Sequence, residues 1–370
     1  MMIKLLIDYQ TFILQSYGGI SRYFANIHHA AQAREDIESR VGLLYTRNYY
    51  LKDYPSPLNN ALGQCLMKKQ SRYHSWNKAY SRHLISKNDY TVLHPSYYNP
   101  YYIKYAKKPV VITVHDMIHE RLPEYFDPGD FYVRFKRLCI ENAAHIIAIS
   151  ETTKRDLQEI LQVEESRITV VHHGYQMSPD LAGQHEEVNV RKPDSNYLLF
   201  VGDRKGYKNF PIFLTAVSEL LKTDQTLKLI CAGGGPFREA EQEMLMRLKV
   251  KDKVIQVSPT DNELKSLYQH AIAFIFPSLY EGFGLPILES FKNNCPVIAS
   301  NNACFKEIGE DAIAYFDPHD QHSIAATIKE VMTNEPFKEK LISNGRKQLE
   351  KFSMELCMEK TMAVYRKVSG

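Results

Sequence analysis

Short apolar runs alternate with longer stretches of helical periodicity along this chain. That alternation predicts parallel α/β layers. In the first half, the runs at residues 4–8, 41–44, 92–94, 110–114, 144–149 and 168–171 read as strands. Between the first two, Ile20, Phe24, Ile27 and Ala31 recur at helical spacing over residues 20–33. Ser150 is placed to cap a helix that begins Glu151-Thr152-Thr153-Lys154. A second series has strands at 197–201, 228–232, 254–257, 273–276 and 296–299. Its helices fall at 209–221, 238–248 and 263–269, around Pro286, and from there to the end. Between the series, residues 176–196 are polar and aperiodic, with Pro179, Gly183 and Pro193. They read as an interdomain linker, centred on 179–194. The expected domains are 1–178 and 195–352, with the last helix, within 353–370, crossing back onto the first.

Length and composition fit this picture. A chain of 370 residues is roughly two domains. The six cysteines are scattered without CxxC or His-linked spacing. They read as free, mostly buried thiols in a reducing compartment, neither a disulfide frame nor a zinc site. The start, Met1-Met2-Ile3-Lys4, is too short and meets acid too soon for a signal peptide. No apolar run approaches the roughly 18 residues a membrane span needs. A cytoplasmic protein is expected, peripheral on the inner face of a membrane.

The peripheral part of that expectation comes from charge. The net charge is +3, but residues 1–100 hold twelve Lys/Arg against six Asp/Glu. Residues 54–88 hold six cations (Lys68, Lys69, Arg72, Lys78, Arg82, Lys87) and no acid. Within 61–88 these are mixed with Leu62, Leu66, Met67, Tyr73, Trp76, Tyr80 and Leu84. The mixture fits an interfacial helix on anionic lipid; a plain solvated helix is the alternative. The charge is local and no nucleic-acid motif accompanies it, so no nucleic-acid partner is expected.

Doubly wound domains bind ligands at the carboxyl ends of their strands, and the candidate residues cluster there. Glu281 and Glu289 flank a Gly282/Gly284 turn that runs into Pro286. Proline is favoured at a first helical position, which puts Glu281 in a loop and Glu289 in the first helical turn. Free N–H groups at that helix start suit a diphosphate, and the carboxylates suit sugar hydroxyls. Arg204 and Lys208 follow the 197–201 strand and offer fixed cations for a departing diphosphate. No Asp-x-Asp pair is present to clamp a metal there. Gly18 and Gly19 follow the first strand, His115 and Asp116 the 110–114 strand, and the glycines 233–235 the 228–232 strand. His119 and Glu120 fall on the acceptor side. Tyr97, Tyr98, Tyr101, Tyr102 and Tyr105 form an aromatic cluster suited to sugar rings or to packing.

Together, Gly18-Gly19-Ile20-Ser21-Arg22-Tyr23, Thr113 to Met117, Ile149 to Lys154, Val170 to Gly174, Val201 to Phe210, Ala232 to Pro236, Pro277 to Glu289 and Phe305 to Ala312 resemble the retaining family-four glycosyltransferases. The resemblance implies the GT-B fold: two facing Rossmann-like doubly wound domains with the active site in the interdomain cleft. The first would bind acceptor and the second nucleotide-sugar. Positions matching Glu281 bind donor-sugar hydroxyls, Glu289 the ribose, and Arg204 and Lys208 the diphosphate, helped by Gly19. Gly18, Gly234, Gly282, Phe283, Gly284 and Leu285 complete the donor set. His115, Arg204, Lys208 and Glu281 are the catalytic candidates. Asp116, Tyr98 and Tyr101 are assigned to the acceptor side. No metal and no cofactor are implied, only a nucleotide diphosphate sugar as donor. The expected reaction is retaining hexosyl transfer, mannose favoured, to a glycan or lipid-linked glycan in surface polysaccharide assembly. A nucleotide-sugar epimerase and a non-catalytic nucleotide-sugar-binding protein are the rivals.

Overall fold

A computed structural model describes residues 2–175 and 196–370. The expected linker at 179–194 lies outside the described residues. The chain forms two compact units, Met1–His172 with Glu355–Gly370, and His173–Met354.

The strands of the first unit are β1 (Ile3–Ile7), β2 (Ile37–Val41), β3 (Val92–His94), β4 (Val111–Val114), β5 (His145–Ala148) and β6 (Ile168–Val170). They form two all-parallel sheets, β2-β1-β3 and β4-β5-β6. A parallel bridge between Leu93 and Val110 stitches the two together. β3, β4 and β5 are buried along their whole length, as near-continuous apolar strands are when both faces are covered. β2 differs. Ile37, Ser39 and Val41 point inward while Glu38 and Arg40 are exposed. That alternation, with only two large apolar residues, is why the apolar run at 41–44 places the strand four residues late.

The direction of strand addition reverses between β1 and β3. The loops after these two strands therefore diverge and leave a crevice at their carboxyl ends. The Met354–Ser369 helix packs on this unit. The Tyr365 hydroxyl meets His94 Nδ1 at 2.6 Å, Arg366 pairs with Asp36 at 2.9 Å, and Arg34 pairs with Glu359. The helix expected within 61–88 is present as two, Ala61–Leu66 and Gln70–Lys87, while the Tyr132–Glu141 helix escapes the sequence pattern.

The second unit holds β7 (Tyr197–Val201), β8 (Lys228–Ala232), β9 (Val254–Val257), β10 (Ala273–Phe276), β11 (Val297–Ser300) and β12 (Ile313–Phe316). They form one parallel sheet in the order β12-β11-β10-β7-β8-β9. Here the reversal lies between β7 and β10. The Phe210–Thr223 helix buries Phe210, Phe213, Leu214, Val217 and Leu221 in a core shared with Phe200, Leu229 and Ile275.

Candidate active site

The β7/β10 crevice brings two of the four catalytic candidates into contact. After β7 the chain makes a tight turn at Gly206–Lys208 before the Phe210–Thr223 helix. After β10, residues 277–284 lead to the Leu285–Lys292 helix. The Leu279 N–H donates to the Tyr207 carbonyl at 2.8 Å and fastens one loop to the other. Lys208 Nζ then donates to Glu281 Oε1 at 2.5 Å, with side chains only 19% and 13% exposed. The Lys208 ammonium also lies 5.2 Å and 5.6 Å from the ring centres of Tyr207 and Phe276, which favours the cation there. Opening a half-buried pair strands both charges unless a ligand replaces each partner. An anionic oxygen for Lys208 and a hydroxyl donor for Glu281 would do so together.

Beside the pair, Gly284 caps the helix at φ 134°. A Cβ there would be strained and would sit 3.0 Å from Ile287 Cδ1. Because Gly284 makes the turn, Leu285 is the first helical residue and Pro286 the second. Glu289 therefore opens the second turn, a correction to the expected first, and accepts from the Tyr268 hydroxyl at 3.3 Å through Oε2. Phe283 is 4% exposed, its ring set edge-on to His173 and Phe352. Its ring is thus an anchor inside the unit, which leaves only the main chain at this position for a ligand. Gly282 is buried beside it and Leu285 is half-buried.

Arg204 is placed otherwise than expected. It is 2% exposed. Its guanidinium donates to the carbonyls of Gly233 at 3.0 Å, Gly235 at 2.8 Å and Pro236 at 3.2 Å, and to Glu241 Oε1 at 3.1 Å. Gly233, Gly234 and Gly235 have φ of 90°, 68° and 69°, and this left-handed run turns their carbonyls onto the arginine. A Cβ on Gly234 would lie 2.7 Å from an Arg204 terminal nitrogen and 2.9 Å from the Gly202 carbonyl. Arg204 and Gly234 hold the loop after β8. The fixed cation set toward Glu281 is Lys208.

In the first unit, Gly18 has φ 168°, extended backbone that any residue adopts. It caps the Gly19–Gln32 helix, and the Gln15 side chain accepts from the Ser21 N–H at 3.1 Å. A close backbone approach is therefore not forced at Gly18, and part of the helix start is already closed. His115 leaves β4 with its N–H donating to the Tyr98 hydroxyl at 3.0 Å. Its ring lies edge-on to Tyr23 and Phe24. Burial lowers its pKa to about 4, against the pull of Asp116. A neutral imidazole at pH 7 can exchange hydrogen bonds with a sugar hydroxyl but is no acid.

The acceptor-side tyrosines are bound into the unit. The Tyr98 hydroxyl donates to the Thr113 carbonyl at 3.3 Å, and that of Tyr101 to Asp8 Oδ2 at 3.2 Å. Buried phenols need such partners, so these two hydroxyls serve as scaffold rather than as contacts offered to an acceptor. Asp116 accepts from the Ile118 N–H at 3.1 Å through Oδ1, and its carbonyl accepts from Lys136 at 3.1 Å.

Lys136 and Asp8 are the residues sequence reasoning missed. The Lys136 side chain is fully buried, pairs with Glu120 at 2.7 Å, and faces the Tyr132 ring at 5.1 Å. Burial raises the Glu120 carboxyl above its usual range, with Lys136 opposing. Asp8, at the end of β1, accepts from the Ser96 hydroxyl at 2.6 Å, the Ser96 N–H at 2.8 Å and the Gln10 side chain at 2.7 Å. Burial raises it too. A signal for Lys136 existed: it shares a helical face with Tyr132, Cys139 and Ile140. Among the described residues no group of three His, Cys, Asp or Glu side chains is placed to hold a metal ion.

Comparisons with known proteins bear on both units. The sequence model for glycosyl transferases group 1 matches residues 183–348, and that for glycosyltransferase family 4 matches residues 17–178. The O-antigen chain mannosyltransferase RfbU of Salmonella typhimurium is 29% identical over 245 residues, covering 62% of this chain and 66% of the relative. The match thus spans just under two thirds of that relative. The O-antigen chain mannosyltransferase B of Escherichia coli is 27% identical over 291 residues, 75% of this chain and 74% of the relative. Among solved structures, Anabaena Alr3699/HepE in complex with UDP and glucose superposes with a TM-score of 0.71 at 16% identity, covering 99% of this chain and all of its own. WaaG, a glycosyltransferase involved in lipopolysaccharide biosynthesis, gives 0.66 at 16% identity over the full length of both chains. At these identities the superpositions speak for the GT-B fold. With the two sequence models accounting for most of its length, the chain belongs to the two-domain glycosyltransferases of family 4 and group 1.

Proposed function

We propose that the protein transfers a hexose, mannose in preference, from a nucleotide diphosphate sugar to a glycan or lipid-linked glycan, with retention and without a metal. The observation that carries this reading is the Lys208–Glu281 ion pair beside the Gly284 helix start. On donor binding, Lys208 would exchange Glu281 for a diphosphate oxygen, and the freed carboxylate would accept from the hexose. The N–H groups at the helix start supply the remaining positive end. Charge grows on the diphosphate as it leaves, so fixed donors at that place favour the transition state over the ground state. In the transfer, the bond from the anomeric carbon to the phosphate oxygen breaks. The bond to the acceptor oxygen forms on the same face, and the acceptor proton passes to the departing phosphate. Glu289 would hold the ribose. The activity for which the relatives are named, O-antigen chain mannosyl transfer, supports the mannose preference.

We place the protein at the cytoplasmic face of a membrane, held by the basic segment. Lys68, Lys69, Arg72, Lys78, Arg82 and Lys87 are all exposed, as are Leu62 and Trp76. No described helix is long and apolar enough to cross a membrane. Surface attraction is worth about 1 kcal/mol per cation near anionic lipid.

The test is a panel of GDP-, UDP-, ADP- and dTDP-sugars with the whole chain, with and without EDTA. One donor should bind and slowly release its nucleotide regardless of EDTA. Glu281→Gln should keep nucleotide affinity while transfer falls. Unchanged transfer in Glu281→Gln would sink the site assignment, and no binding of any donor would sink the reading itself.

A further inference from the structure

Glu289 has a partner that lies outside the donor motif. The Tyr268 hydroxyl donates to its Oε2 at 3.3 Å. Tyr268 stands in the last turn of the Asp261–His270 helix, not on the Leu285–Lys292 helix that carries Glu289. The Tyr268 helix is pinned near both ends. At its start the Thr260 N–H donates to Glu263 Oε2 at 2.7 Å, and near its finish the Leu267 carbonyl accepts from the Tyr197 hydroxyl at 2.8 Å. Tyr268 itself is 1% exposed, with its ring edge-on to Phe274 of β10 at 5.5 Å. The core of the second unit therefore holds the phenol oxygen in one place.

The choice of partner is informative. Other phenols of this unit satisfy their hydroxyls on the main chain, Tyr197 on the Leu267 carbonyl and Tyr315 on the Phe305 carbonyl at 3.0 Å. Such a partner suffices for a buried hydroxyl. Tyr268 instead meets the half-buried carboxylate of a donor residue. Burial above all, and then the Glu289 charge, hold its phenol well above the usual range, so it stays protonated and donates. The main chain of Glu289 is fixed as well: its carbonyl accepts from the Asn293 N–H at 3.2 Å and from the Asn293 side chain at 2.8 Å. What remains to be set is the swing of the side chain. A long carboxylate side chain loses rotamer freedom when it takes a ligand, and one already held loses less. A carboxylate has about four lone-pair sites, so a bond from Tyr268 is compatible with bonds from ribose hydroxyls.

We propose that Tyr268 is a positioning residue of the donor site: its hydroxyl holds the Glu289 carboxylate toward the ribose hydroxyls and so selects a ribonucleoside diphosphate sugar over a deoxyribonucleoside one. This deepens the transferase reading and rests on it, because that reading puts the ribose at Glu289.

The experiment titrates GDP, UDP and ADP, each with its 2′-deoxy and 3′-deoxy counterparts, into the full chain by calorimetry. It uses wild type, Tyr268→Phe, Glu289→Ala and the double variant. In wild type the best-bound ribonucleotide should exceed at least one of its deoxy forms by roughly tenfold. In Tyr268→Phe the ribonucleotide should weaken while that deoxy form holds, so the ratio shrinks towards one. The double variant should bind like Glu289→Ala alone. A ratio that survives in Tyr268→Phe overturns the proposal, and if Glu289→Ala abolishes it the ribose assignment stands without Tyr268. A loss shared equally by ribo and deoxy forms makes Tyr268 a structural residue and overturns the proposal too. If Glu289→Ala leaves the ratio unchanged, or wild type shows none, the ribose assignment and the proposal fall together. If none of the diphosphates binds, the transferase reading falls with them.

Discussion

Replacing Lys136 by methionine tests how the β4 end is held. The Lys136 side chain is fully buried and that of Glu120 is 6% exposed, with 2.7 Å between nitrogen and oxygen. Methionine keeps much of the stem and removes the charge. A buried carboxylate left without its partner costs about 3–5 kcal/mol. The hydrogen bond to the Asp116 carbonyl and the contact with Tyr132 are lost as well. Against the ~5–15 kcal/mol that holds a typical domain together, this is a large share. The pH dependence has a definite sign. Burial already raises Glu120, and without Lys136 it rises further. A raised carboxyl contributes its stability at low pH and loses it as pH climbs through the folded pKa. The deficit of Lys136→Met should therefore be largest at neutral pH and shrink on acidification. Adding Glu120→Gln should recover most of it. Urea unfolding followed by tryptophan fluorescence reads this directly, because the only tryptophan, Trp76, lies in the first unit. A variant within about 0.5 kcal/mol of wild type, or a double variant no more stable than the single, would refute the reasoning.

Gly234→Ala should destabilise the second unit by about 1–3 kcal/mol, from a φ of 68° and the clash with Arg204; an unchanged melting temperature would count against Arg204 as the keeper of the glycine loop. Burial lowers His28, His115 and His145 to about 4 and His94 to about 3. All four stay neutral when folded and take up protons when unfolded. The first unit should lose stability progressively as pH falls from about 6.5 towards 4, by roughly 3 kcal/mol for each such group. Asp8, raised by burial, works in the opposite direction. Trp76-detected melts from pH 7.5 to 4.5 measure the sum, and a flat profile would contradict it. Neutralising Lys68, Lys69 and Arg72 together should weaken binding to anionic vesicles by about 3 kcal/mol, more than a hundredfold; sedimentation with vesicles that shows no change would remove the membrane surface from the account.

Most parallel strands were legible in the sequence because burial on both faces writes them as plain apolar runs, as in Val111–Val114 and Ala273–Phe276; β12 was not, and it lies where only helices were expected. The Ser150 cap was legible too, and its hydroxyl accepts from the Thr153 N–H at 3.0 Å. β2 was shifted because Glu38 and Arg40 face solvent. The Tyr132–Glu141 helix was missed because its inner face carries a lysine, and an apolar stripe interrupted by a cation reads as surface. At the candidate site, strand ends told which loops to watch. They could not tell which cation faces the crevice. Lys208 finds the Glu281 carboxylate, but Arg204 finds Glu241 together with main-chain carbonyls, and carbonyls carry no letter in a sequence. Tyr98 likewise finds a carbonyl, that of Thr113, and Tyr101 finds the Asp8 carboxylate 93 positions away.

The hydrogen bond that joins His94 to Tyr365 spans 271 positions of sequence. Everything in the second unit is made between those two residues. At roughly 5–20 residues per second of synthesis, His94 waits some 15–50 s for the hydroxyl that covers it. During that interval the nascent first unit lacks the buried faces of Met362 and Tyr365 and exposes the apolar surface they would cover. The second unit is continuous and has no such wait. Assembly of this chain should therefore run out of written order: the unit begun first is completed last, and its unfinished state is the one most exposed to aggregation and to chaperones.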